Sequence, residues 1–143
     1  MEKYFQLAVK EAKKAYKKNE MPVGAIIVQN NKIIAKAHNR REKKHNVLGH
    51  AEILCILKAT KKIKDWRLDG CEMYVTLEPC SMCRTIINES RIDNVYFLLN
   101  NQKNSKMINK TDILQTNDCN VYRDIYKNMI KNFFNKLRNK VIK

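Results

Sequence analysis

Two short segments carry side chains that could do chemistry together: His50-Ala51-Glu52 and Pro79-Cys80-Ser81-Met82-Cys83. Cys80 and Cys83 are the one closely spaced pair among the five cysteines. Positions three apart on a helix share a face, so both sulfurs can reach one metal ion. At a helix N-terminus the dipole favours the thiolate form that binds a metal. Zinc accepts two thiolates and one imidazole readily, and His50 supplies the imidazole. Three protein ligands leave the fourth tetrahedral position to water, the mark of a catalytic site. Zinc brings the pKa of such a water toward about 7. A carboxylate must then carry protons between water and substrate, and Glu52 is the candidate. Residues i and i+2 of a regular helix point about 200° apart. His50 and Glu52 therefore converge only if His50 sits at the very start of its helix. Two other readings stay open on spacing alone. One is a structural zinc site completed by Cys55, Cys71, Cys119, His38 or His45. The other is a set of unligated core cysteines beside a surface histidine.

Helices and strands must bring those segments together. Residues 2–18 read as a helix, with Phe5, Ala8, Val9, Ala12 and Tyr16 at helical spacing and lysines on the other face. Met21-Pro22 ends it. A β-branched run over 25–29, the turn signal Asn30-Asn31 and a partner run over 32–37 read as a hairpin. Residues 38–49 are polar and basic and read as loop. A helix is expected over 50–63, a strand over 72–77, a helix over 80–89 and a strand over 94–99. Pro79 stands where a helix would begin, a position that suits proline. Residues 100–120 show no period and read as loop with a short strand or helical turn. A long helix follows over 122–140, with Tyr126, Met129, Ile130, Phe133 and Leu137 on one stripe. Helices alternating with strands imply an α/β architecture with helices on the sheet faces.

With 143 residues and 44% hydrophobic composition, the chain has the size and content of one globular domain. No repeat or linker divides it. No apolar run approaches the roughly 18–20 residues that span a bilayer, and the N-terminus does not read as a signal peptide. A cytoplasmic chain with no membrane association is expected. There, an odd number of cysteines suits metal ligands or buried thiols better than disulfides. The formal net charge is +15, from 29 Lys+Arg against 14 Asp+Glu. Such a balance points to a polyanionic partner, since each neutralised phosphate releases counterions. A Lys-, Asn- and Ile-rich coding bias accounts for many lysines but less easily for the shortage of acids.

The pattern H-x-E…P-C-x-x-C is the known signature of zinc base deaminases, in which the Glu is not a ligand. At these residues the chain resembles the cytidine deaminase-like superfamily and, within it, the bacterial tRNA adenosine deaminases. Met21 to Ala25, His38-Asn39-Arg40, Gly49 to Ile53, Tyr74 to Cys83 and Ser90-Arg91-Ile92 carry the resemblance, with Phe133-Phe134 and Arg138 near the end. The resemblance implies a three-layer α/β/α cytidine deaminase-like fold over residues 1–143, a central mixed sheet of about five strands flanked by helices. It implies a hydrolase that uses Zn2+ to convert adenosine to inosine at the tRNA wobble position. It also implies a homodimer whose subunits both touch the anticodon stem-loop. His50, Cys80 and Cys83 are then the metal ligands and Glu52 the catalytic residue. Asn39 would hydrogen-bond the target base, with Val23, Ala51 and Pro79 lining the pocket and Lys103 and Phe134 meeting the RNA.

One region departs from the family. Where relatives carry an acid, a lysine and small residues including glycine, this chain reads Asn100 to Lys106, with Asn101 in the acid's place and Lys103 retained. The change reads either as drift in a biased lineage or as a loosening of RNA-over-DNA discrimination; deamination of matched RNA and DNA hairpins separates the two. Cys55 is expected to be a buried small apolar residue, and Trp66 to pack its loop against the core. His45 is exposed or touches phosphate. Two rival functions remain: the same chemistry on a free base, nucleoside or deoxynucleotide, and a nucleic-acid-binding module with a structural zinc, for which Glu52 is dispensable.

Overall fold

The structure, a computed structural model, describes residues 1–42, 45–101, 112–116 and 119–142. The chain runs α1 (Glu2–Lys17), β1 (Gly24–Gln29), β2 (Lys32–His38), α2 (Ala51–Ile63), β3 (Cys71–Leu77), α3 (Ser81–Glu89), β4 (Asn94–Leu99), β5 (Asp112–Gln115) and α4 (Asn120–Ile142). The strands form one sheet in the order β2-β1-β3-β4-β5. β1 is antiparallel to both β2 and β3, while β3, β4 and β5 run parallel. The hairpin turns on Asn30 and Asn31, both at positive φ (51° and 62°), a conformation asparagine tolerates.

The period-2 alternation of the strands divides the core into two layers. Ala25, Ile27, Met73, Val75, Val95 and Phe97 face α2 and α3, packing on Ala51, Ile53, Ile56, Cys83 and Ile87. Ile26, Val28, Tyr74 and Leu98 face the other way, against Tyr4, Phe5, Ala8, Val9 and Ala12 of α1 and Tyr126 of α4. This is the three-layer α/β/α sandwich with a mixed five-stranded sheet. α1 lies so close to β1 that a Cβ on Gly24 would sit 2.0 Å from the Ala8 carbonyl oxygen. Only glycine allows that approach.

The topology gathers five chain segments at one end of the sheet. β3 ends at Leu77 and continues through Pro79 into α3. β1 begins there antiparallel, with Ala25 opposite Val75, and β2 ends there, with His38 opposite Gly24. The loop after β2 folds back on itself, Arg40 N–H donating to the Gly49 carbonyl at 2.8 Å. A side chain at Gly49 would meet the Arg41 backbone at 2.8 Å, so the close return needs glycine. The loop delivers the N-terminus of α2 to the same end.

Candidate active site

His50 is the N-cap of α2, with extended backbone (φ −75°, ψ 143°), and Cys80 is the N-cap of α3 (φ −70°, ψ 172°). The extended conformation takes His50 off the helical arc, which resolves the i, i+2 difficulty: its ring and the Glu52 side chain, on the first turn, approach the same point. His50 Nδ1 lies 3.7 Å from Cys80 Sγ and 3.5 Å from Cys83 Sγ. Bonds of about 2.3 Å to sulfur and about 2.0–2.1 Å to nitrogen, at tetrahedral angles, require N···S edges of about 3.6 Å. The three side chains therefore fit a zinc ion. Their ligand atoms lie within 4.8 Å of one another, and among the described residues no fourth His, Cys, Asp or Glu joins the group.

The cysteines that a closed structural zinc site could have recruited go elsewhere, and Cys55 is the buried residue expected of it. Cys55 is wholly buried and donates its S–H to the Ala25 carbonyl at 3.5 Å; Cys71 and Cys119 are buried in the core. His38 turns to Glu11 of α1, 3.4 Å away. These placements favour an open three-ligand centre over a closed structural one.

Two helix N-termini aim at the cluster, and their dipoles favour negative charge there. The hydrogen bond from the Cys83 thiol brings the Cys80 thiol down to about 4 against the opposing effect of burial, and the His50 ring lowers it further. Glu52 is buried beside Cys83, and burial pushes its carboxyl up to about 7. A carboxyl near neutrality can both take up and release a proton at physiological pH, the property required of a shuttle.

Val23, Ala51 and Pro79 are buried, Ala51 following His50 and Pro79 preceding Cys80 in the chain. Asn39 is buried at the exit of β2 and fixed at three points. Its N–H donates to the Val23 carbonyl at 3.1 Å, its Nδ2 to the Met21 carbonyl at 3.2 Å, and its Oδ1 accepts from Arg41 N–H at 3.2 Å. Each side-chain amide atom keeps capacity for one more hydrogen bond. Phe134 is 41% exposed on α4, its ring edge-on to the buried Phe133. Lys103 lies outside the described residues.

A second group, which no motif or periodicity marks, supports the site. Arg84 of α3 and Glu78 form a largely buried ion pair, and Arg84 Nε donates to the Pro79 carbonyl at 3.1 Å. Glu78 also accepts from Asn101 N–H at 3.1 Å, and its carbonyl from Asn101 Nδ2 at 3.5 Å. A carboxylate at position 101 would turn an acceptor toward the Glu78 carbonyl, where the asparagine amide can donate, so the asparagine is matched to its neighbour. Trp66, expected to pack its loop against the core, is 57% exposed instead. Leu68 enters the core in its place, and the Trp66 ring lies under the guanidiniums of Arg67 and Arg91, 5.6 and 5.1 Å from its centroid. The guanidiniums cover π-surface without burial, joining the loop after α2 to the turn after α3.

The MafB19-like deaminase family profile matches residues 1–138. The chain belongs to that family. The tRNA-specific adenosine deaminase of Aquifex aeolicus is 40% identical over 148 residues, 99% of this deaminase and 98% of that protein. The protein of the same name from Rickettsia bellii is 37% identical, over 92% and 97% of the two chains. A solved structure from studies of A-to-I editing by tRNA:A34 deaminases at the wobble position superposes at TM-score 0.75 and 31% identity, covering 80% of this deaminase and 97% of that chain. A guanine deaminase from Nitrosomonas europaea, at 15% identity and TM-score 0.77 over 92% and 83%, shares the fold. The deaminase is thus a hydrolytic enzyme of the cytidine deaminase-like fold. No described helix is long and apolar enough to cross a membrane.

Proposed function

We propose that this chain, acting as a single domain, deaminates adenosine to inosine at the wobble position of a tRNA anticodon stem-loop, with one Zn2+ held by His50, Cys80 and Cys83. The observation that carries the reading is the open His/Cys/Cys cluster with the buried Glu52 carboxyl against it, in a chain whose near-full-length relatives bear the tRNA-specific name. When bound, zinc supplies the Lewis acidity that brings hydroxide within reach of neutral pH. Glu52 takes the proton that water gives up as oxygen attacks C6 of the base, and passes it to the ring nitrogen. It then carries the second water proton to the departing amine, so ammonia leaves and the carbonyl of inosine remains. Asn39, held by Met21, Val23 and Arg41, offers one donor and one acceptor to orient the base. Val23, Ala51 and Pro79 shape the slot that keeps bulk water from the reacting atoms. Phe134, on a basic helix, and Lys103 contribute to the RNA surface. The working unit is a homodimer in the cytoplasm.

The net charge of +15 supports a nucleic-acid substrate over a free base. The test is incubation with an in vitro transcribed tRNA-Arg anticodon stem-loop bearing a wobble adenosine, reading inosine by sequencing, beside Glu52→Ala. Inosine with the unaltered protein, and none with a Glu52→Ala variant that still carries one zinc per chain, is the expected result. Turnover of free guanine or cytidine but not of the stem-loop overturns the substrate assignment; zinc without any turnover overturns the enzymatic one.

A further inference from the structure

From residue 3 of α1 to its C-cap Lys18, every exposed position except Gln6 is a lysine: Lys3, Lys10, Lys13, Lys14, Lys17 and Lys18. The buried positions of the same stretch are Tyr, Phe, Ala, Val and the single acid Glu11. Lysines spaced i, i+3 and i+4 repel one another, so this face works against its own helix. Coding bias alone spreads lysine without regard to the absence of acids, whereas here no exposed acid interrupts the stripe after Glu2. α4 continues the surface. Lys136 lies 4.3 Å over the ring of Tyr16 and adds its charge at the C-terminal end of the α1 stripe.

The stripe has a direction. The N-terminal end of α1 is tied to the far end of the sheet, where Tyr4 hydroxyl reaches the Asn31 carbonyl. Its C-terminal end leads into Glu20, which accepts from Glu42 N–H, and into the Met21–Val23 segment that fixes Asn39. Tyr126 of α4 is anchored to the same segment through the Pro22 carbonyl at 2.7 Å. Sixteen residues of helix extend about 24 Å, so the lysines form a track of that length ending at the rim of the site. We infer that the lysine face of α1, joined by Lys136 of α4, is a phosphate-binding track that holds the body of the RNA substrate while one unpaired nucleotide occupies the site. The partner's chemistry is set by the exposed side of α1: long ammonium side chains with no carboxylate and no exposed apolar side chain among them contact a phosphodiester backbone as point charges, independent of sequence.

This inference rests on the proposed RNA substrate, and its test separates the two. Lys10, Lys13 and Lys17 are replaced together by Gln, which keeps helix propensity; Lys14 is left in place because it pairs with Glu11 at 2.6 Å. Lys61, Lys62 and Lys64, exposed at the far end of α2, are replaced in a matched control. Filter binding of full-length tRNA is measured from low to moderate salt, and deamination kinetics are measured on full-length tRNA and on the bare anticodon stem-loop. The α1 variant is expected to lower the slope of log K against log salt by roughly 2–3 and to raise KM for full-length tRNA roughly tenfold. kcat and the melting temperature hold. The α2 control changes neither slope nor KM. An unchanged slope in the α1 variant, or an equal loss in the control, overturns the track; in the first case the lysines serve another polyanion, such as an anionic membrane. If the unaltered protein deaminates no RNA, the substrate reading fails, and the difference in binding slope still decides the surface.

Discussion

Replacing Arg84 with Met probes how the site is held rather than how it reacts. The Arg84 side chain is 10% exposed and that of Glu78 17%. Removing the guanidinium leaves the Glu78 carboxylate nearly buried with the neutral Asn101 N–H still donating to it, and frees the Pro79 carbonyl. Breaking a buried pair from one side costs about 3–5 kcal/mol, and the residual exposure places this one near about 3. Unfolding entropy of roughly 2.1 cal/mol/K per residue gives about 0.3 kcal/mol/K for the chain, so Tm falls by about 10 °C. Glu78→Gln keeps an acceptor but strands the guanidinium, at about 2 kcal/mol or roughly 7 °C. The double variant carries no unpaired charge and is no less stable than Arg84→Met alone, a coupling of about 2 kcal/mol. Thermal unfolding of the four zinc-loaded proteins, followed by circular dichroism, measures the cycle. Additive losses, near about 17 °C in the double variant, refute the reasoning. The Pro79 carbonyl sets the entry to Cys80, so zinc also leaves the Arg84→Met protein faster under a chelator.

Gly24→Ala forces its Cβ to within 2.0 Å of the Ala8 carbonyl oxygen, and α1 must lift from β1 at about 3 kcal/mol or more, read as a fall in urea midpoint; Gly70→Ala meets open space and costs only the strain of φ +78°, about 1–2 kcal/mol. Equal effects at the two glycines contradict the close approach. Burial raises the Glu11 carboxyl, but hydrogen bonds from Lys14 and His38 outweigh it, so its folded pKa lies below the ordinary 4.5. The stability it contributes is present above pH 4.5 and is lost as pH falls through the lower folded value. Glu11→Gln should therefore flatten the urea midpoint against pH below 4.5, and an unchanged acid slope rules the pair out. Cys80→Ser should lose zinc from metal analysis, yet the metal-free variant should melt a few degrees above the metal-free parent, because serine caps α3 better by about 1 kcal/mol; a lower melting point counts against that cap.

The helices and the hairpin were legible because local pattern and tertiary role agree. Phe5, Ala8 and Ala12 are apolar at helical spacing and all three face the core, and the Asn30-Asn31 turn has the backbone its residues favour. Strand order was not legible: nothing local in β1 says that it pairs with β3 as well as β2. β5 was read only as a short strand or helical turn somewhere in 100–120, because its four residues lie in a stretch without period and gain their pairing from β4. Trp66 misled because size and apolarity argue for burial, while two arginines one loop apart satisfy its ring at the surface. Glu78 and Arg84 stand six apart across a strand end and a helix start, a spacing that matches no helical or strand period. Buried charge pairs of that kind depend on how elements meet, which composition and periodicity do not encode.

The candidate site was legible for a different reason: its residues are placed by helix starts, which sequence marks well. Both N-caps are unusual. The position normally takes Ser, Thr, Asp or Asn, whose oxygen satisfies an orphan amide. Here it holds His50 and Cys80, and neither side chain makes a capping hydrogen bond. Each helix therefore forgoes a stabilising contact of about 1 kcal/mol and leaves its first amides and positive dipole end directed at the cluster. That environment favours thiolate sulfur and, during deamination, the negative charge that develops on the attacking oxygen. The extended backbone of an N-cap also swings His50 clear of the helical arc, where it shares a point with Glu52 that two interior helix residues at that spacing could not reach. A helix that began one turn earlier would place the same two side chains on opposite sides of its axis, so ring and carboxyl meet because α2 starts at His50 and not before it.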